Sequence, residues 1–139
     1  MIVVDTSAIL AYMNSADDHH EAVAEWLERE SDDLVTTPLI VAEADFLVSS
    51  RGGEAASQAL RADLASGAYL VEWWPEAMRE SVLVATDYSG SGIGLADASL
   101  VALAQRVKTN RIATLDERHF RLVTPLTEHE AFLLLPRDA

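Results

Sequence analysis

Acidic side chains stand where this chain can gather them at one place. Asp5 directly follows Ile2-Val3-Val4, a β-branched apolar run suited to a strand buried on both faces of a parallel sheet. Asp116 follows a second expected strand, Arg111 to Leu115. Asp97 lies in the first turn of a helix predicted over Leu95 to Val107, at the positive end of its dipole. A further acid comes from Glu43 or Asp45. These are two residues apart on one predicted helix, so they cannot share a face. In open α/β sheets, ligands collect outside the carboxyl ends of the strands. Carboxylates crowded there raise one another's pKa values, and a hard divalent cation relieves the repulsion. A donor set of oxygens suits Mg²⁺ or Mn²⁺. Such a centre activates water and steadies the charge on a phosphate. Thr6, Ser7 and Thr114 stand beside the acids and can add supporting hydrogen bonds. The plainer reading of Asp5 is a helix N-cap, with Thr6 or Ser7 competing for that place ahead of Ala8 to Met13.

The elements that must position these groups alternate. Strands are expected at Ile2–Val4, Leu34–Thr36, Tyr69–Glu72, Arg111–Leu115 and Phe132–Leu135, with Phe120–Val123 also extended. Between them fall amphipathic segments. His20 to Glu30 puts Ala22, Val23, Trp26 and Leu27 on one face. Thr37-Pro38 is a start signal, a capping Thr with Pro at the first helical position. The helix it opens, Leu39 to Val48, is apolar almost all round and is expected to be buried. Ser49 to Gly53 reads as a turn, Glu54 to Leu64 as a helix, and Glu76 to Asp87 as another. The alternation predicts a single domain over residues 1–139, three-layer α/β/α, with a central mainly parallel sheet and right-handed crossovers.

Composition narrows the chemistry. With 139 residues and 50 % hydrophobic content the chain can build a core. It has no cysteine, which excludes disulfides and thiolate metal sites. No basic leader precedes the first strand and no apolar run is long enough for a bilayer, so a soluble cytoplasmic protein is expected. The net charge of −13 weighs against broad nucleic-acid affinity, since phosphate contacts need Lys and Arg. The ten basic residues are not evenly spread, however. Arg106, Lys108, Arg111, Arg118 and Arg121 crowd into one late segment and predict a basic patch on an acidic body. Arg51, Arg118 and Arg121 are the candidate phosphate contacts.

Other features carry less. Asp17-Asp18-His19-His20 resembles a metal cluster, but adjacent residues rarely converge on one ion, and it reads as a solvated loop opening a helix. Ser89-Gly90-Ser91-Gly92-Ile93-Gly94 matches neither nucleotide fingerprint and reads as a turn. Trp73 and Trp74 are neighbours on an expected strand, so one of them must leave the core. His119, beside the last acid, is placed to touch substrate or to serve the structure.

Four stretches in this order, VVDTSA, VAEADFLV, LADASLVALA and ATLDERHF, resemble the PIN-domain nucleases, most closely the VapC-type toxins of bacterial toxin–antitoxin pairs. The likeness runs over essentially the whole chain, including the terminal LLLP. It implies an Mg²⁺- or Mn²⁺-dependent endoribonuclease whose acidic quartet is Asp5, Glu43, Asp97 and Asp116. The resemblance thereby selects Glu43 over Asp45. It further implies supporting roles for Thr6 and Thr114, cleavage leaving a 5′-phosphate and 3′-hydroxyl, a homodimer, and a cognate antitoxin whose tail crosses the cleft and supplies an Arg that displaces metal. The chain departs from the pattern at Ala96, where Thr or Pro is frequent, and in its low pI. Two alternatives differ in kind. A catalytically silent PIN-fold scaffold would not gain stability with Mn²⁺. A phosphotransfer receiver needs paired acids at the first strand end and a late Lys, where this chain has Asp5 alone and Thr124-Pro125.

Overall fold

The first strand, β1 (Ile2–Val4), is the centre of the molecule. In the computed structural model, which describes residues 1–139, its three side chains are buried, as expected of a strand covered on both faces. It pairs in parallel with β2 (Leu34–Thr36) on one side and β4 (Arg111–Ala113) on the other. The edges are β3 (Leu70–Val71) and β5 (Leu133–Leu135), also parallel. The sheet order is β3-β2-β1-β4-β5. Connections leave β1 in both directions, so right-handed crossovers put helices on both faces. The order reverses between β1 and β4, and the crevice at that switch point opens beyond their carboxyl ends. Asp5 and Asp116 flank it.

The helices follow the expected positions with instructive differences. Helix α1 (Thr6–Met13) begins two residues early, so Asp5, not Thr6 or Ser7, occupies the N-cap position. Asp5 makes no side-chain cap bond there, because its carboxylate is engaged elsewhere. Helix α2 (His20–Arg29) is joined to α1 by the polar turn at Asp17 to His19. His20 Nδ1 lies 2.9 Å from the Ala11 carbonyl, and no metal cluster forms in this turn.

Helix α3 (Pro38–Ser66) replaces the predicted helix–turn–helix. The turn expected at Ser49 to Gly53 is only a kink, with Gly53 alone outside helical geometry at φ 78°. That value lies in the left-handed region, which glycine enters without strain. Nor is the first half of α3 buried all round: Ile40, Ala44 and Val48 face the core, while Phe46 is 69 % exposed and Glu43 is exposed.

Helix α4 (Ala77–Asp87) packs on α5 (Leu95–Arg106), whose middle from Ala98 to Ala104 is entirely buried. Trp74 is buried and sends its Nε1–H to Glu80, while Trp73 is left 39 % exposed. Phe120–Val123 is not extended. It lies in and after a short helix, α6 (Glu117–Leu122), capped by the Asp116 side chain bonding the His119 N–H. Phe120 anchors that helix edge-on against Phe132, both almost fully buried. No helix is long and apolar enough to cross a membrane.

The start of α3 matters to the site because it aims Glu43. Thr37 Oγ1 accepts from the Ile40 N–H and lies 2.8 Å from Ser99 Oγ, tying α3 to α5. Thr37→Ala is expected to cost about 1–2 kcal/mol, the usual loss for a cap, as a lower urea midpoint. Coincident unfolding curves would show that the cap contributes nothing.

Candidate active site

Beyond the ends of β1 and β4 lies an open cleft of about 400 Å³. Asp5, Glu43, Asp97 and Asp116 all line it, together with Thr6, Ser7 and Arg51. Leu10 of α1 and Leu47 of α3 give it an apolar wall, and Gly92 and Gly94 form part of its rim. The spacing left Glu43 and Asp45 as alternatives. The fold turns Asp45 outward, where it forms a two-pronged ion pair with Arg61 at 2.9 and 3.0 Å.

Asp5 is the most deeply held of the acids, with 4 % exposure. Its Oδ2 accepts hydrogen bonds from Ser7 Oγ and Thr114 Oγ1, each at 2.8 Å. Those hydroxyls are themselves fixed: Ser7 Oγ accepts from the Leu115 N–H, and Thr114 Oγ1 from the Asp116 N–H. The network therefore locks the tip of β4 to the tip of β1. Burial pushes the Asp5 carboxyl above its ordinary range, against the pull of the Ser7 and Thr114 hydroxyls, and the nearby Asp116 charge adds to the rise. Asp97 is pushed up to about 6, mainly by burial and then by the charge of Asp5, with the contact to His119 opposing.

The tightest convergence includes a residue with no clear signature in the sequence. Donor atoms of Asp97, Asp116 and His119 lie within 4.8 Å of one another. His119 Nδ1 is 3.0 Å from Asp97 Oδ2 and 3.0 Å from Asp116 Oδ2. Asp5 and Glu43 line the same cleft outside that group. The hints in the sequence were the position of His119 near Asp116 and its place in the family-like stretch ATLDERHF; its second partner is 22 residues away.

The cationic residues are distributed differently from the expected patch. Arg106, Lys108 and Arg111 lie at the ends of α5 and β4 opposite Asp97 and Asp116. There Arg106 stacks over the Trp74 ring and Arg111 pairs with Glu30 and Asp32. Arg121 is held by Asp138 at 2.7 Å, and Arg118 is exposed but lines no part of the cleft. Of the three candidate phosphate contacts only Arg51 lines it, at the rim on α3.

These residues fit a hard divalent cation. The donors facing the cleft are carboxylate oxygens, and crowding and burial raise the cost of their charge. Thr6 Oγ1 is buried without any hydrogen-bond partner, on the wall of the same cleft. A buried hydroxyl so placed could be satisfied by a hydrated ion held by the acids beside it.

Comparisons with known proteins agree with this architecture. Ribonuclease VapC26 of Mycobacterium tuberculosis is 40 % identical over 126 residues, which span 90 % of this chain and 93 % of that protein. The crystal structure of VapC20 from the same species, described as a sarcin–ricin loop cleaving toxin, superposes with a TM-score of 0.78 at 20 % identity. The match covers 84 % of this chain and 90 % of that one. A toxin–antitoxin complex from Klebsiella pneumoniae has a TM-score of 0.64 at 17 % identity, covering 91 % and 99 %. At these identities the two structures attest the fold. Residues 2–124 match the PIN domain itself, and with that match and the 40 % identity of a full-length relative, the chain belongs to the PIN-domain family.

Proposed function

We propose that this protein is an RNA-cleaving toxin of a toxin–antitoxin pair, a metal-dependent endoribonuclease with its centre at Asp5, Glu43, Asp97 and Asp116. The observation that carries the reading is the meeting of four sequence-distant acids in one cleft at the sheet's switch point. The ribonuclease to which the chain is 40 % identical supplies the substrate class.

Asp5, Asp97 and Asp116, with Glu43, would hold Mg²⁺ or Mn²⁺, which would supply Lewis acidity to a water and to the phosphate. Ser7 and Thr114 orient the Asp5 carboxylate through their hydroxyls, and Thr6 Oγ1 offers a hydrogen bond to water in the cleft. Glu43, exposed on α3, would bind a second ion or hold the attacking water, whose proton leaves to solvent as its oxygen bonds to phosphorus. The bond from phosphorus to the 3′ oxygen breaks, that oxygen takes up a proton from solvent, and the products are a 5′-phosphate and a 3′-hydroxyl. Arg51 grips a phosphate at the rim.

The chain acts as a homodimer in the cytoplasm, and a cognate antitoxin silences it by sending a basic segment into the acidic cleft. The surplus of acids over bases makes such an inhibitor a good fit.

Incubation of the purified chain with RNA and Mg²⁺ or Mn²⁺ tests the reading. Cleavage that stops with a chelator and with the antitoxin is expected; RNA left intact with either metal sinks it. Arg51→Ala is expected to lower kcat/KM about tenfold, equal to about 1.4 kcal/mol, mainly through KM. An unchanged KM would remove Arg51 from substrate binding.

A further inference from the structure

We infer that His119 is a positioning residue that holds Asp97 and Asp116 converged, setting the affinity of the centre for its cation. The inference rests on the metal-dependent reading above and adds to it a residue outside the acidic quartet.

The geometry begins with Asp116. Its Oδ1 accepts from the His119 backbone N–H at 3.1 Å, and its Oδ2 lies 3.0 Å from His119 Nδ1. One residue thus engages both oxygens of the carboxylate and fixes its orientation. The same Nδ1 is 3.0 Å from Asp97 Oδ2. An ionised carboxylate only accepts hydrogen bonds, so Nδ1 carries the hydrogen and donates it to Asp97 Oδ2, with Asp116 Oδ2 in close contact beside the same N–H. A single imidazole thereby bridges the first turn of α5 to the cap of α6. Without a donor between them, the two carboxylates repel and separate.

The ring itself is held in place. Phe120, the next residue, is almost fully buried against Phe132 and fixes the turn that carries His119. On the other edge of the ring lies Gly92, where a side chain's Cβ would meet Nε2 at 3.5 Å. Asp97 and Asp116 both line the cleft, whereas His119 does not. The Nδ1 edge of the imidazole is taken up by the two carboxylates, which makes it their orienting partner. Partners of this kind typically change metal affinity by about 10–100-fold when removed.

The test uses Mn²⁺ without RNA. Free Mn²⁺ is followed by electron paramagnetic resonance during titration of the full chain, of His119→Ala and of His119→Asn. Asparagine keeps an N–H donor near the place of Nδ1. Expected are an affinity at least about tenfold lower for His119→Ala and a return to within about threefold of the wild type for His119→Asn. Spin-echo spectra of the wild-type Mn²⁺ complex should lack the modulation of a directly bound nitrogen. Equal Mn²⁺ affinity with and without His119, or failure of the asparagine to rescue a folded protein, overturns the inference. So does a coordinated nitrogen lost in His119→Asn, which would make the residue a ligand. In each case the nuclease reading stands. A wild-type chain that takes up no Mn²⁺ removes the metal-dependent reading and this inference together.

Discussion

Asp5→Asn is expected to abolish metal-dependent RNA cleavage, by about three orders of magnitude or more, while making the metal-free protein more stable. The two effects have one cause. Asp5 is the most buried of the cleft acids, and its Oδ2 is already satisfied by Ser7 and Thr114. Asparagine has the same shape and can place its amide oxygen where both hydroxyls donate. What disappears is the charge. A loss of three orders of magnitude corresponds to about 4 kcal/mol of transition-state stabilisation, within what a lost cation ligand removes. For stability the sign runs the other way. Burial raises the Asp5 pKa in the folded state, so between the unfolded and folded values the unfolded chain gives up its proton more readily. The ionised carboxylate therefore opposes folding at neutral pH when no cation is present, and asparagine removes that opposition. Cleavage assays and melting curves in a chelator measure the two effects. Substantial residual activity would remove Asp5 from the mechanism, and a lower melting temperature would show that its charge is not the cost inferred here.

The same division between shape and charge explains what the sequence revealed. Asp5 was legible because a β-branched run ending in an acid has few other readings in an α/β chain, and Asp116 because it follows a second strand, although β4 ends three residues before it. Asp97 was legible from its place in a helix's first turn. Glu43 was separable from Asp45 only by family resemblance, since spacing says the two face apart but not which face meets the cleft. The basic patch failed for a geometric reason. Arg106, Lys108 and Arg111 are near Arg118 in sequence, but β4 carries the chain from one end of the sheet to the other between them. Phe120 to Val123 is apolar enough to read as extended, but Asp116 also caps a helix, its side chain accepting from the His119 N–H and starting α6 there. His119 acquires its role from a contact across 22 residues, which local periodicity does not encode.

In the metal-free protein, the contribution of Asp97 to stability is expected to fall as pH rises from about 4 to about 6. Its folded pKa stands at about 6 against an ordinary 3.8, raised by burial and by Asp5. Below the lower value both states hold the proton and no penalty exists. Between the two values the unfolded chain ionises first, so stability drops until the folded carboxyl also ionises, and above that it levels off. The side chain is 20 % exposed, and water screens part of the cost, leaving on the order of 1–2 kcal/mol. The difference in melting temperature between the wild type and Asp97→Asn isolates this term from the other acids. In a chelator, the wild type is expected to lose several degrees relative to the variant between pH 4 and pH 7. Saturating Mn²⁺ should reverse the direction, because a cation binds the ionised carboxylate and competes with its proton. The wild type then gains on the variant over the same interval. Parallel curves in the chelator would show that Asp97 titrates normally. The same slope with and without Mn²⁺ would show that the ion does not sit on Asp97, whatever the cleft does to its proton.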